Sequence, residues 1–341
     1  MKVYAGMKAG LPLARVPDYA RRIEELGFDG LRIPETLQDP LLVATLAVEH
    51  TQRLEIGTGV MLAFPRSPMV TAMTSWELQR MSGGRFMLGL GSQVRGNIVG
   101  RFSVPWSAPV PLMRDYISSL RAIWNSFQPG QPLNHVTENY SFTRLQPFFN
   151  PGPIDHPDIP VHLGGVGVEM CELAGAAAEG IITHPTNSSH DYLDKVVRPA
   201  LAAGASAAGR PGTEIPVVAM VPMITGTDAA ALARECDAQR RIFALLYSTP
   251  NYAATLRTVG LEELGDQLHA LSRRQRWADM AALVTDDMLE VIAPIALHDD
   301  LAPALLRRYT GLTSGLLLMP PQNPMPNEAL REIVRILHAG T

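Results

Sequence analysis

The stretch PMVTAMTSWELQRMSGGRFMLGLG, residues 68–91, carries the pattern that decides the fold. Pro68 to Met81 has helical spacing, and Gly83-Gly84 ends it, because a residue without Cβ takes the left-handed conformation that closes a helix. The chain then enters an apolar run at once, from Arg85 to Gly91. A helix that turns this tightly into a buried strand is one period of a parallel sheet built from βα units.

The same period recurs on both sides of this stretch. Apolar runs lie at Lys2 to Met7, Gly30 to Pro34, Leu54 to Leu62, Arg85 to Gly91, Pro160 to Leu163, Gly180 to His184, Ile215 to Ile224 and Gly315 to Met319. After the first run, Val16, Tyr19, Ala20, Ile23 and Leu26 share one helix face, opening near Pro17-Asp18 and closing at Gly27. Eight such units with no second block of strands predict an α/β fold, a closed (β/α)8 TIM barrel rather than a doubly wound open sheet. Two stretches break the rhythm. Residues 128–158, rich in Pro, Asn and aromatic residues, read as a long loop between unit four and strand five, expected at the barrel mouth. Residues 228–310 have helical spacing and read as an insertion of extra helices between strands seven and eight. No Gly/Ser or Pro linker sets the insertion apart, so residues 1–341 read as one barrel domain, with a small separate helical domain as the alternative.

Composition narrows the function classes. With 46% hydrophobic and 18% charged residues, the chain has material for a large core and too few charges for disorder. A net charge of −4, with no basic run longer than Arg273-Arg274, speaks against a nucleic-acid surface. The longest apolar run contains Pro216 and Pro222 and falls well short of the ~20 residues of a membrane span. Lys8 precedes any stretch of signal-peptide length, and Cys171 and Cys236 are the only cysteines, so a cytoplasmic protein is expected. The nine histidines show no paired ligand spacing, and no metal site is expected.

In a barrel, chemistry sits where strands end. Strand two ends Ile33-Pro34-Glu35-Thr36, a carboxylate and a hydroxyl with apolar neighbours that suit Glu35 to acid or base work. Strand three carries two glycines, Gly57 and Gly59, which mark a bulge, a ligand's close approach or close helix packing. Strand four runs into Ser92-Gln93-Val94-Arg95-Gly96-Asn97, polar groups able to bond the edge of a heterocycle. Strand five ends Gly164-Gly165-Val166-Gly167 before a helix, so unpaired N–H groups there form a ready phosphate site. Met170 stands where a dinucleotide fingerprint needs its third glycine, which argues against a Rossmann fold. His162 and His184 lie in or at the ends of strands five and six, each a functional candidate or a packed core histidine.

The ordered set Gly27-Phe28-Asp29-Gly30, Pro34-Glu35-Thr36, Leu54 to Val60, Leu78 to Phe86 and Leu88 to Gly91 resembles the luciferase-like flavin and deazaflavin oxidoreductases, most closely the branch that uses coenzyme F420. The resemblance implies a ring system in the barrel mouth, backed by a non-proline cis peptide at Gly59-Val60. It also implies polar contacts to the coenzyme at Glu35, Leu62 and Asn97, and a phosphate at Gly164 to Gly167. Thr36 stands where deazaflavin-dependent sugar-phosphate dehydrogenases have a histidine, and Val94 where they have a glutamate, so that activity is not implied. The expected function is hydride transfer between F420 and a small organic substrate, with Glu35, Thr36 and His184 as catalytic candidates. An FMN-dependent monooxygenase and a non-catalytic coenzyme-binding protein are the alternatives. A homodimer is expected through Met69, Val70, Met73, Trp76 and Met81, more apolar residues than one sheet-facing stripe needs.

Overall fold

The computed structural model describes residues 1–210 and 214–340. Its central strands are β1 (Lys2–Gly6), β2 (Gly30–Ile33), β3 (Glu55–Thr58), β4 (Met61–Leu62) and β5 (Phe86–Gly91). After a hairpin of β6 (His135–Val136) and β7 (Ser141–Phe142) come β8 (Val161–Gly164), β9 (Gly180–Ile182) and β10 (Val217–Pro222). The short β11 (Ile224–Gly226) and β12 (Ile295–Leu297) precede β13 (Gly315–Met319). The sheet runs β3-β2-β1-β13-β10-β9-β8-β5-β4, and the additional β3–β5 pairing, Ile56 beside Phe86, closes it into a ring of parallel strands. β3 and β4 are one strand interrupted at Gly59-Val60, so all eight predicted runs take their places in the barrel.

The outer helices follow the sequence signals. α1 (Val16–Glu25) buries Val16, Ala20 and Ile23, and α2 (Pro40–Glu49) starts on the Asp39 carboxylate, which accepts from the Leu41 amide. α3 (Pro68–Ser82) ends at Gly83 with φ of 62°, a left-handed cap that favours glycine. Two side chains of that helix hold the next strand: Gln79 Oε1 accepts from Phe86 N and Ser82 Oγ from Arg85 N, each at 3.1 Å. Trp76 is fully buried against Phe127, with ring centroids 5.4 Å apart. It therefore leaves the expected outer patch, while Val70, Met73 and Met81 remain about half exposed.

The short α4 (Arg95–Gly100) and long α5 (Pro109–Phe127) follow β5. Residues 128–158 correct the sequence reading. They follow a helix, so they start at the foot of the barrel, climb the outer side of α5 to Asp115, which accepts from Asn139, and return to the foot. They are tied there by Trp76 Nε1 to the Gly152 carbonyl and by Asn150 Nδ2 to that of Ser126. None of them lines the mouth cavity.

α6 (Val168–Ala177), α7 (His190–Tyr192) and α8 (Arg198–Ala207) complete the units around β8 and β9. The insertion holds α9 (Ala229–Tyr247), α10 (Pro250–Ala253), α11 (Glu262–Arg273), α12 (Trp277–Ala282) and α13 (Asp286–Ile292). It closes with the parallel β11–β12 pair, so α14 (His298–Tyr309), placed by sequence inside the insertion, is a barrel helix, packed with the final α15 (Asn327–Ala339). Phe243, Leu268 and Met280 of the insertion belong to the same apolar cluster as Val3 and Ile56 of the barrel. A second cluster, Tyr4, Met87, Ile182, Val218 and Leu317, fills the barrel lumen.

Candidate active site

At the C-terminal ends of the strands lies a cavity of about 850 Å³. Val60 and Met220 rise into it from the lumen core. The Gly59-Val60 peptide is cis. The Val60 side chain sits between two glycines that leave room for it: a Cβ at Gly91 would stand 2.6 Å from Val60 Cγ2, and one at Gly164 2.9 Å from Cγ1. Three strand ends are thus shaped around a single side chain presented to the cavity.

The bulge is fixed from below. Gly59 N donates to the Ile33 carbonyl and Glu35 N to that of Val60. The Glu35 carboxylate accepts from Leu62 N at 2.8 Å and forms a two-pronged pair with Arg66, at 2.8 and 3.0 Å. Arg66 also bonds the Leu62 carbonyl and Asp39. Both Glu35 oxygens are therefore engaged in holding the bulge, which makes Glu35 a positioning residue and leaves it poorly arranged for the proton work its sequence surroundings suggested.

His184, two residues beyond the end of β9, faces the cavity, its ring stacked on Tyr252 of α10 at 4.6 Å between centroids and 17° between planes. Burial pulls its pKa down to about 4, so it is neutral at pH 7. Its Nδ1 lies 2.9 Å from Thr186 Oγ1 and accepts from Thr186 N at 3.4 Å. A backbone N–H can only donate, so the proton of the neutral ring belongs on Nε2, which becomes a hydrogen-bond donor.

The turn from Gly164 to Gly167 lines the cavity, and Gly167, at the N-cap of α6, has no side chain to bond its first turn. These amides and the helix dipole suit an anionic group. Glu169, exposed in that same turn, opposes it with one negative charge. Gln93 holds a left-handed φ of 59° at the cavity wall, uncommon for a residue with a side chain.

Glu35, Gly59, Val60, Leu62, Gln93, Gly164, Gly165, Val166, Gly167 and His184 all line this one cavity. Thr36 and Asn97 do not. The Thr36 carbonyl accepts from Arg101, and that of Asn97 caps the end of α4. His162 also lies outside, a lumen histidine whose pKa burial, with Arg32 and Lys2 adding to it, lowers to about 3. The sequence reading missed Arg32 and the roof residues Asn251, Tyr252 and Arg257. A charge inside the apolar run Gly30-Leu31-Arg32-Ile33 was a signal for the first. The insertion offered none that set Tyr252 apart from its other aromatic residues.

The family model for luciferase-like monooxygenases matches residues 2–313. The chain belongs to that family. Among its relatives, an uncharacterised Mycobacterium tuberculosis protein is 39% identical over 325 residues, 95% of each chain. The 5,10-methylenetetrahydromethanopterin reductase of Methanolobus tindarius is 26% identical over 291 residues, 85% of each. Among solved structures, the coenzyme F420-dependent tetrahydromethanopterin reductase of Methanopyrus kandleri superposes with a TM-score of 0.82 at 19% identity, covering 99% of this chain and 98% of that one. This luciferase-like chain is an oxidoreductase on a TIM barrel.

Proposed function

We propose that this luciferase-like chain moves a hydride between coenzyme F420 and a small organic substrate. The observation that carries the reading is Val60, presented between Gly91 and Gly164 to a cavity large enough for a tricyclic ring. The donor set fits a deazaflavin: a hydrophobic backing at Val60, polar groups at Ser92 and Gln93 for a ring edge, and an uncapped helix start for a phosphate. The F420-dependent reductase that shares this fold supports the same coenzyme.

When bound, the deazaflavin supplies or accepts two electrons and a proton as hydride at C5. The chain does the rest. Glu35 and Arg66 fix the bulge, and the α6 amides would hold the phosphate. His184 Nε2–H would donate to a carbonyl oxygen of the substrate, and the proton that this oxygen takes up would come from water. Neutral His184 thus serves as a polarising donor, a role that needs no titration near pH 7.

The test is equilibrium binding of the apo-protein to F420 and to FMN, followed by fluorescence quenching. F420 should bind and FMN should not; the reverse makes the chain an FMN-dependent monooxygenase, the second activity its family carries. A bound coenzyme that no reductant or acceptor turns over identifies a carrier. We also place a homodimer on the face of α2 and α3, where Leu42, Val70, Met73 and Met81 are 46–55% exposed. A monomer mass by light scattering at micromolar concentration removes that assembly.

A further inference from the structure

Of the polar atoms of His184, all but one are engaged within a single short loop. Its N donates to Asn187 Oδ1 at 2.7 Å, its carbonyl accepts from Ser188 Oγ at 2.9 Å, and its Nδ1 lies 2.9 Å from Thr186 Oγ1. Nε2 alone bonds none of the described residues, on a ring that lines the cavity. The loop itself is tied on three sides. Ser188 Oγ meets Thr183 Oγ1 just beyond β9, Asn187 Nδ2 donates to the Gly165 carbonyl, and the Thr186 carbonyl accepts from Thr255 and Tyr247 of the insertion.

Thr186 is 2% exposed, and among the described residues the His184 ring is the only partner of its hydroxyl. If the ring proton sat on Nδ1, that hydroxyl would have to accept it. The hydroxyl's own proton would then have no acceptor among the described residues, and the Thr186 amide, 3.4 Å from Nδ1, would face an N–H. Burial makes each of these costly, so the hydroxyl donates. The surroundings add no charge. Burial is the cause of the lowered His184 pKa, and Tyr252 on the ring and Tyr247 on the Thr186 carbonyl are themselves pushed up by burial and keep their protons.

We propose that Thr186 is the positioning residue that gives His184 its role: its hydroxyl donates to Nδ1, which keeps the ring proton on Nε2 and leaves the cavity facing a donor with no basic nitrogen beside it. This rests on the reading of His184 above. It makes the histidine a fixed polarising group for a carbonyl oxygen and excludes it as a base toward an alcohol. Thr186 itself touches no substrate. Its carbonyl carries the insertion's two hydroxyls, so the roof holds in place the residue that sets the ring.

The experiment is nitrogen NMR of the histidine-labelled, coenzyme-free chain through a pH titration, with His184→Gln identifying the His184 signals. The wild type should show Nδ1 without a proton and Nε2 with one. Thr186→Val keeps the volume and removes a bond made to the neutral ring, so the His184 pKa should rise by about one pH unit and an Nδ1–H form should appear. Thr186→Ser restores the hydroxyl and should return both signatures to the wild-type pattern. Had the hydroxyl accepted a proton from the ring, its loss would lower the pKa, so a fall or an unchanged value in folded Thr186→Val overturns the proposal. If Thr186→Val does not fold, the wild-type spectrum decides: an Nε2–H ring supports the proposal and an Nδ1–H ring overturns it. No coenzyme is present in these spectra, so a separate failure to bind F420 removes the coenzyme reading without touching this result.

Discussion

Under the cavity, Glu35 has 6% of its side chain exposed and both oxygens committed to Arg66 and the Leu62 amide. Over it, Tyr252 and Arg257 come from the insertion, which is tied to the barrel by the Thr255 and Tyr247 hydroxyls on the Thr186 carbonyl, at 2.7 and 3.3 Å, and farther off by buried Glu235, which accepts from Gln322 and Asn323. Asn251 and Arg257 are exposed. A floor built from buried, mutually satisfied ions tolerates few changes, because each leaves a desolvated partner behind. A roof built from stacking and exposed side chains can be altered residue by residue. We read the floor as the coenzyme's half of the site and the roof as the substrate's.

The sharpest way to break this contrast is Arg66→Ala, which strands the Glu35 carboxylate in a buried position. A loss of roughly 3–5 kcal/mol in denaturant unfolding is expected, with coenzyme affinity falling as the bulge loosens. Glu35→Gln should cost less, since its amide can still accept from Leu62 N while Arg66 keeps Asp39. Equal and small losses for both would mean that the floor is no more rigidly held than the roof.

The two buried histidines extend the contrast to pH. Burial lowers His162 in the lumen to about 3 and His184 under the roof to about 4, against roughly 6.5 in the unfolded chain. Between those values the unfolded chain binds more protons, so stability is full above about pH 6.5 and is lost as pH falls toward 4. The loss should be on the order of a few kcal/mol. His162→Gln and His184→Gln should each remove a similar share of that slope, because in this window both imidazoles are neutral in the folded chain and take up a proton on unfolding. Unfolding curves at pH 7, 5.5 and 4.5 check both.

Much of the floor was legible and little of the roof. The barrel could be read because each unit carries local signals, such as the Gly83 cap and the runs of buried strand residues, that do not depend on distant contacts. The ring of strand ends could be read for the same reason. Glu35's true partner could not: Arg66 lies 31 positions away, and only the interrupted strand brings it back under the bulge. Residues 128–158 were misplaced because composition marks a loop without saying which end of the barrel it joins. That follows from the preceding element being a helix. Thr36 was placed in the site by its neighbour, yet one position along a turn points elsewhere.

A smaller effect separates the two halves at the phosphate end. Gly167 has φ of −80° and nothing within 4 Å of a Cβ, so a side chain there causes no strain and projects into open space beside the α6 amides. Gly167→Val should weaken F420 binding about tenfold with the melting temperature unchanged. Gly165 is a poorer probe, because a Cβ there would stand 2.8 Å from Met170 Cγ and disturb packing as well. Glu169→Gln should move affinity the other way, through loss of its charge from the same turn.

The smallest predicted change tests the roof alone. Tyr252 stacks on His184, and an aromatic pair of this kind contributes about 0.5–1.5 kcal/mol beyond the area it buries. Tyr252→Ala should therefore raise the substrate KM roughly two- to tenfold, by loosening the ring that carries the Nε2 donor, and leave the F420 dissociation constant where it was. Tyr252→Phe keeps the stacked ring and should behave as the wild type. Steady-state kinetics at saturating coenzyme, with a parallel binding titration, distinguishes the cases. If the alanine variant instead loses coenzyme affinity with its substrate KM intact, the roof belongs to the coenzyme site, and the insertion and the barrel floor share one ligand rather than dividing two.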